Sequence, residues 1–264
     1  MQAHINGFQM AFEDNGKGLP VLFIHGFPLN RKIWRPQAEA LREKFRVITP
    51  DVRGHGESEA TAGVYEMELL ADDLAALLRH LQCGPAFIAG HSMGGYILFA
   101  FYREYPEWVR GLILVSTRAV ADSAEGKANR EALAQRVEQE GHQPVVEKML
   151  GPMMAEASVR AKPGLKNEVE AIMRETTIPG LAGASRGMAA RLDSTELLAQ
   201  INVPVLIIAG TADALIPHAE SENMARTIPD ARLHLLTGVG HLPSLEKPEE
   251  MNRALKGWLS INKD

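Results

Sequence analysis

The stretch Gly90-His91-Ser92-Met93-Gly94 places a serine between two glycines, where an apolar run meets a helical pattern. A turn from strand to helix within one residue holds the central residue in a sparsely allowed backbone region and exposes its side chain. Small residues two places away on either side let the strand and the helix approach each other. The pattern therefore predicts Ser92 as a nucleophile, with the positive end of a helix beside it.

A serine hydroxyl is a poor nucleophile at neutral pH, so it needs a base, and histidine is the natural side chain for this task. Among nine histidines, His241 follows the last apolar run of the chain, in a loop that contains glycine. An imidazole base needs a carboxylate to fix its tautomer. Asp213 follows a continuous apolar run closely, whereas the alternative, Asp122, lies several residues beyond its run. We therefore predict a Ser92, His241 and Asp213 triad.

An attacked carbonyl develops negative charge on its oxygen, which needs hydrogen-bond donors placed in advance. Met93 directly follows the nucleophile and supplies one backbone N–H. The second donor is expected in the loop after the run Val21–Ile24, where Phe27 carries an N–H and Pro28 has none. Phe27 and Met93 are therefore the predicted oxyanion hole.

Short apolar runs, each closed by glycine, proline or serine, alternate with amphipathic stretches along the chain. The runs are Val21–Ile24, Val47–Ile48, Ala86–Ala89, Leu112–Val115, Val205–Ile208 and Leu233–Leu236. Continuous apolarity is typical of parallel strands that helices cover on both faces. An earlier strand or hairpin is predicted over Phe8–Phe12, ending at the turn residues 14–16. The alternation predicts an α/β fold with a mostly parallel, doubly wound sheet.

Residues 118–200 interrupt this alternation, because they contain helical patterns but no buried-strand signal. A loop of this length without secondary structure would be unusual. We therefore predict a helical cap at 118–200, inserted after the sixth strand, and a core formed by 1–117 and 201–264. Five arginines of the cap are candidates for holding a substrate carboxylate, and the sequence does not distinguish among them. They are Arg118, Arg130, Arg136, Arg186 and Arg191.

The composition excludes several functional classes. A chain of 264 residues with 45% hydrophobic residues, 23% charged residues and a net charge of −5 is ordinary for a globular protein and unsuited to nucleic acid. Its single cysteine cannot form an internal disulfide. No signal-peptide pattern and no apolar run of about 20 residues is present, so we expect a cytoplasmic protein without a membrane partner. No metal-binding or cofactor-binding motif occurs, so neither group is predicted.

The motifs together resemble those of the α/β-hydrolase superfamily over nearly the whole chain. His25-Gly26-Phe27-Pro28 resembles its oxyanion loop, and 51–58 resembles its D-x-R-G-x-G-x-S loop. Gly90–Gly95 resembles its nucleophile turn, and Gly240-His241 resembles its histidine loop. Within the superfamily the chain is most similar to small esterases and enol-lactonases, including 3-oxoadipate enol-lactonase, and it is also similar to cofactor-free perhydrolases.

The resemblance has further implications for individual positions. Ser92 stands where haloalkane dehalogenases and epoxide hydrolases carry aspartate, which disfavours both of those chemistries. Trp34 stands where relatives often place an aromatic residue near the pocket, so it is a weak candidate for substrate binding. Packing of Trp34 on the sheet is the alternative.

We therefore expect a serine hydrolase that cleaves a small carboxylic ester or lactone through an acyl-enzyme. Because a histidine base must be neutral, the rate should fall as pH drops through roughly 6 to 7. Two alternatives use the same residues: perhydrolysis, and carbon–carbon bond hydrolysis or lyase chemistry. A third alternative is a small-molecule receptor without catalysis. The sequence gives no indication of the oligomeric state.

Overall fold

The computed structural model describes residues 1–263. Eight strands form one sheet at the centre of the fold. The strands are β1 (Gln2–Ile5), β2 (Phe8–Asn15), β3 (Pro20–Ile24), β4 (Arg46–Pro50), β5 (Ala86–His91), β6 (Val109–Val115), β7 (Val205–Gly210) and β8 (Ala231–Leu236). Their order across the sheet is β1-β2-β4-β3-β5-β6-β7-β8. The pairs from β4 to β8 are parallel, while β1–β2 and β2–β4 are antiparallel. The predicted α/β fold with a mostly parallel sheet is confirmed.

The central strands are buried because their residues are apolar on both faces. Every residue of β5 and of β7 is buried, as the continuous apolar runs predict. β5 lies between β3 and β6, so its carboxyl end is near the middle of the sheet. The residue that follows β5 is Ser92, which therefore lies at the centre of that edge.

The N-terminal hairpin differs in one respect from the sequence prediction. The strand predicted at Phe8 is present and runs to Asn15, but a further strand, β1, precedes it and pairs with it. The turn between them uses Asn6 and Gly7, both with positive φ angles (44° and 85°). Asparagine followed by glycine is the pair that a two-residue hairpin turn favours. This turn was missed because β1 has only four residues.

Helices flank the sheet and fill the connections. They are α1 (Arg35–Leu41), α2 (Met67–His80), α3 (Met93–Glu104), α4 (Ala124–Glu140), α5 (Gln143–Met149), α6 (Glu156–Ala161), α7 (Leu165–Arg174), α8 (Ile178–Ala190), α9 (Thr195–Leu198), α10 (His218–Thr227), α11 (Pro243–Glu246) and α12 (Pro248–Ile261). α2 packs against α3, and α1 packs against α12. Among residues 1–263, no helix has the length and apolarity to cross a bilayer.

The segment 118–200, called the inserted segment below, contains helices α4 to α9. The structure describes no strand between the end of β6 at Val115 and the start of β7 at Val205. Its two long helices, α4 and α8, pack against each other. Hydrogen bonds tie it to loops that follow strands of the sheet. Thr176 Oγ1 donates to the Pro28 carbonyl at 2.7 Å, and Thr177 Oγ1 donates to the Gly54 carbonyl at 2.9 Å. The inserted segment therefore lies against the carboxyl edge of the sheet, where Ser92 is located.

Candidate active site

Ser92 occupies the sharp turn between β5 and α3. Its backbone has a φ of 53° and a ψ of −113°, a conformation that costs free energy for a residue with a side chain. The turn is held by the Ser92 N–H, which donates to the Val115 carbonyl at 2.9 Å. A β-carbon at Gly90 would lie 2.4 Å from the Gly94 carbonyl oxygen, and one at Gly94 would lie 2.4 Å from that of Ile24. Both glycines are therefore required by close packing around the turn.

Asp213 follows β7 and His241 follows β8, and the two side chains meet at the carboxyl edge of the sheet. Nδ1 of His241 lies 2.7 Å from Oδ2 of Asp213, and both side chains are buried. The second carboxylate oxygen, Oδ1, accepts from the N–H groups of Leu215 at 2.8 Å and Ile216 at 2.9 Å. Burial alone would raise the pKa of Asp213, but the His241 ring and these two N–H groups hold it below its ordinary value. Asp213 is therefore a carboxylate at neutral pH and fixes the proton of His241 on Nδ1.

The loop that carries His241 is fixed by a buried carboxylate that the sequence analysis missed. Oε2 of Glu246 accepts from the N–H groups of Gly240 at 2.9 Å and Ala155 at 3.0 Å. Oε1 accepts from the Leu242 N–H at 3.0 Å. Glu246 thus holds both neighbours of His241 and joins them to the inserted segment. Its position five residues after His241 was the available signal, but only the fold shows that the side chain turns back.

The inserted segment approaches the histidine loop closely at two further points. The His241 N–H donates to the Met153 carbonyl at 3.0 Å. A β-carbon at Gly240 would lie 2.5 Å from the Ala155 backbone nitrogen, so no larger residue fits there. The position of the histidine loop therefore depends on the inserted segment as well as on the sheet.

Ser92 and His241 line one cavity of about 130 Å³ between the sheet edge and the inserted segment. The remaining lining residues are Phe27, Tyr96, Arg118, Arg130, Met149, Met188, Leu215 and Ile216. Among the described residues, Ser92 Oγ makes no hydrogen bond, so its hydroxyl is available in the cavity. His241 is therefore hydrogen-bonded to Asp213, and it lines the same cavity as Ser92. Serine–histidine hydrogen bonds are often loose in the absence of substrate.

The two predicted oxyanion donors lie beside this cavity. Phe27 lines it, and Met93 is the first residue of α3. The first N–H of a helix has no partner within that helix. Within residues 1–263, neither the Phe27 N–H nor the Met93 N–H donates to another group of the chain. Two backbone donors next to Ser92 are therefore unused.

Two other residues named from the sequence lie apart from the nucleophile. Trp34 is fully buried and absent from the cavity lining, and its ring centroid is 4.9 Å from that of Phe23 and 6.3 Å from that of His91. Trp34 is therefore placed as expected for a residue that packs on the sheet, rather than for one that binds substrate. Asp122, the alternative acid, binds arginines of the inserted segment and makes no contact with His241.

Three more histidines are buried around the turn and are held neutral. Burial lowers the pKa of His91 to about 3 and that of His55 to about 4, and it lowers the pKa of His25 well below its ordinary value. Cations are costly to bury without a partner, which explains the common direction. These rings act as neutral hydrogen-bonding groups; His25 Nε2, for example, accepts from the Val52 N–H at 3.0 Å. Across residues 1–263, no cluster of three or more His, Cys, Asp or Glu side chains is arranged to hold a metal ion.

Comparison with known proteins agrees with this architecture. A family model described as alpha/beta hydrolase fold matches residues 20–248. The structure of a thermophilic esterase from Thermogutta terrifontis with malate bound is 42% identical, with a TM-score of 0.97, and the match covers 100% of this chain and 99% of that one. The enol-lactonase from Burkholderia xenovorans LB400 is 25% identical, with a TM-score of 0.92, and the match covers 98% and 100%. The 3-oxoadipate enol-lactonase 2 of Acinetobacter baylyi is 27% identical, over 89% of this chain and 86% of its own length.

Proposed function

This chain belongs to the alpha/beta hydrolase fold family, and from that premise we propose that it hydrolyses a small carboxylic ester or lactone through an acyl-enzyme on Ser92. The observation that carries the proposal is the buried 2.7 Å hydrogen bond between His241 and Asp213, with His241 and Ser92 lining the same cavity. The esterase and enol-lactonase relatives support the same reaction class.

The proposed reaction has two halves, each with a proton transfer through His241. Nε2 of His241 takes the proton of the Ser92 hydroxyl while Oγ forms a bond to the substrate carbonyl carbon. The resulting tetrahedral intermediate collapses, the bond to the leaving oxygen breaks, and His241 returns the proton to that oxygen. Water then attacks the acyl group with His241 again as the base, and release of the acid restores Ser92.

Asp213 and the two backbone donors stabilise the charges that arise in these steps. The Asp213 carboxylate lies against Nδ1 of the imidazole and stabilises the imidazolium that forms when Ser92 is deprotonated. The N–H groups of Phe27 and Met93 would bind the oxyanion, and their lack of any other partner supports this role.

The inserted segment is proposed to act as a cap that selects small substrates. Met149 and Met188, which belong to the inserted segment, line the cavity together with Ser92. A volume of about 130 Å³ is close to that of a cavity that holds one benzene ring, so a short acyl or alcohol group fits. The division into a core (1–117 and 201–264) and a cap (118–200) follows from this role.

Replacement of Ser92 by alanine tests the proposal with p-nitrophenyl acetate and p-nitrophenyl butyrate as substrates. We expect Ser92→Ala to lose at least about 10³-fold in kcat, because the acyl-enzyme can no longer form. Ser221→Ala is the control, since the Ser221 hydroxyl, like that of Ser92, has no described partner, while Ser221 is buried outside the cavity. Turnover by Ser92→Ala within a few-fold of the Ser221→Ala rate would contradict the proposal.

A further inference from the structure

The structure separates the five arginines that the sequence left equivalent. Arg136 is exposed on α4 and pairs with Glu140 one turn away, at 2.9 Å. Arg186 binds two carboxylates, those of Glu131 at 3.0 Å and Glu138. Neither arginine lines the cavity that contains Ser92. Their charges are already paired at the surface of the inserted segment.

The other three arginines surround a single carboxylate, that of Asp122. Arg118 Nη2 donates to Asp122 Oδ1 at 2.7 Å, Arg130 Nε donates to Oδ2, and the Arg191 guanidinium contacts both oxygens at 2.8 and 3.0 Å. Burial alone would raise the pKa of Asp122, but the hydrogen bonds from Arg191 and Arg130 hold it far below its ordinary value. One negative and three positive charges leave an excess of two positive charges in this cluster.

This excess charge faces the cavity. Arg118 and Arg130 both line it together with Ser92 and His241, and its lining contains no aspartate or glutamate. Arg191 is buried beneath them, with its guanidinium 4.2 Å from the ring centroid of Tyr96, another lining residue. The positive charge of this cluster is therefore positioned to attract a negatively charged group in the cavity.

Each of the two cavity-lining arginines also has a guanidinium nitrogen that lacks a good acceptor. Arg118 Nε is buried and has no hydrogen-bond partner among the described residues. Arg130 Nη1 contacts only the sulfur of Met188, at 3.3 Å, and a thioether is a weak acceptor. Buried donors without partners are costly, and an anionic oxygen is the acceptor that guanidinium groups bind most strongly.

We propose that Arg118 and Arg130 bind a carboxylate of the substrate, so that the preferred substrate is a short ester or lactone bearing a second, ionised carboxyl group. This inference rests on the proposed function and specifies the charge of its substrate. The cavity size restricts that substrate to a few carbon atoms between the carbonyl and the carboxylate. Arg191 is a positioning residue, which holds Asp122 and through it the two cavity arginines.

Matched pairs of esters test this inference, because the two members of each pair have nearly the same shape but only one of them carries a negative charge. Monoethyl succinate and the ethyl ester of succinamic acid place the carboxylate or its neutral amide on the acyl side. O-acetylglycolate and O-acetylglycolamide place them on the alcohol side. We expect kcat/KM to favour the anion over its amide by about tenfold or more in at least one pair, and the preference to weaken as salt is added.

Substitutions of single arginines test whether Arg118 and Arg130 cause the preference for the anionic ester. Arg130→Met should bring the ratio of anion to amide close to one, while Asp122 keeps its bonds to Arg118 and Arg191. Arg136→Met removes the same charge from the same helix without touching the cavity, so its ratio should equal that of the wild type. Arg118→Met provides the same readout if Arg130→Met does not fold.

The outcomes distinguish this inference from the proposed function. A ratio of one or less in both pairs would overturn the carboxylate site, while turnover of the neutral amides would leave the esterase function standing. A preference that survives in both Arg130→Met and Arg118→Met would overturn the assignment to these arginines. No turnover of any of the four esters, together with none of p-nitrophenyl acetate, would overturn the proposed function itself.

Discussion

His91 Nε2 donates a hydrogen bond to the backbone carbonyl of His241 across 2.8 Å, and the two ring centroids are 4.8 Å apart. Because the acceptor is a carbonyl, the proton of the neutral His91 ring is on Nε2. The residue that precedes Ser92 in the chain therefore holds the loop that carries the proposed base. This bond connects the ends of two strands that are not neighbours in the sheet.

Replacement of His91 by phenylalanine keeps a ring in place but removes this donor. The His241 carbonyl would then lose its partner, and the imidazole would be placed less accurately relative to Ser92. We expect kcat to fall by about tenfold to a hundredfold in ester hydrolysis, since errors of about 1 Å in a catalytic group have effects of this size. His142→Phe is the control, because His142 makes the same kind of bond, to the Thr176 carbonyl at 2.7 Å. Equal losses in the two variants would contradict a specific role for His91.

Glu246 provides a second test of how the histidine loop is held. An amide has a single acceptor oxygen, so Glu246→Gln must leave at least one of the three N–H groups around it unpaired. We expect the free energy of unfolding to fall by about 1–3 kcal/mol and kcat/KM for ester hydrolysis to fall by about tenfold. Glu249→Gln, which changes an exposed carboxylate at the start of α12, should leave both quantities unchanged. Unaltered kcat/KM in Glu246→Gln would show that the loop does not need this carboxylate.

Because three buried histidines are neutral in the folded state, we predict that the folded protein loses stability in mild acid. Their pKa values in the folded state (about 3 for His91, about 4 for His55, and well below 6.5 for His25) are depressed. The unfolded chain therefore binds more protons than the folded one between about pH 6.5 and pH 4. Stability from these groups is complete above pH 6.5 and decreases as pH falls, by up to about 1.4 kcal/mol per pH unit for each histidine. Asp51 and Asp73, whose pKa values burial raises, oppose this trend in part.

Comparison of single variants isolates the contribution of one histidine. Urea unfolding of His55→Asn between pH 7 and pH 5 should give a slope that is smaller by about 1 kcal/mol per pH unit on average. His80→Asn, at an exposed position at the end of α2, should have the wild-type slope. A slope that does not change in His55→Asn would mean that His55 accepts a proton in the folded state at mildly acidic pH.

The sequence predicts most of the framework of the site because local rules dictate it. A buried run before Gly90 and a helical pattern after Ser92 are enough to define the turn, and the order of the later strands places Asp213 and His241 at the same edge. The contacts of side chains that turn back on the chain are set by tertiary packing. Glu246 looks like any glutamate at the end of a short helix until its three backbone partners are seen.

The arginines of the inserted segment also have contacts that tertiary packing sets and that the local sequence does not predict. Arg130 and Arg136 are six residues apart on α4, and nothing in their local sequence separates them. Only the packing of α4 over the sheet edge places Arg130 in the cavity and leaves Arg136 in solvent. Which arginine faces the cavity is therefore determined by the fold rather than by any local motif.

Ser92 is proposed to carry the acyl group during turnover, and the mass of the peptide that contains Ser92 tests this most directly. The protein is mixed with p-nitrophenyl butyrate, quenched in acid during turnover, digested and analysed by mass spectrometry. We predict that the peptide containing Ser92 gains the mass of one butyryl group, that fragmentation places the group on Ser92, and that Ser92→Ala shows no such adduct. An acyl group on another residue, or full turnover by Ser92→Ala without any adduct, would contradict the account.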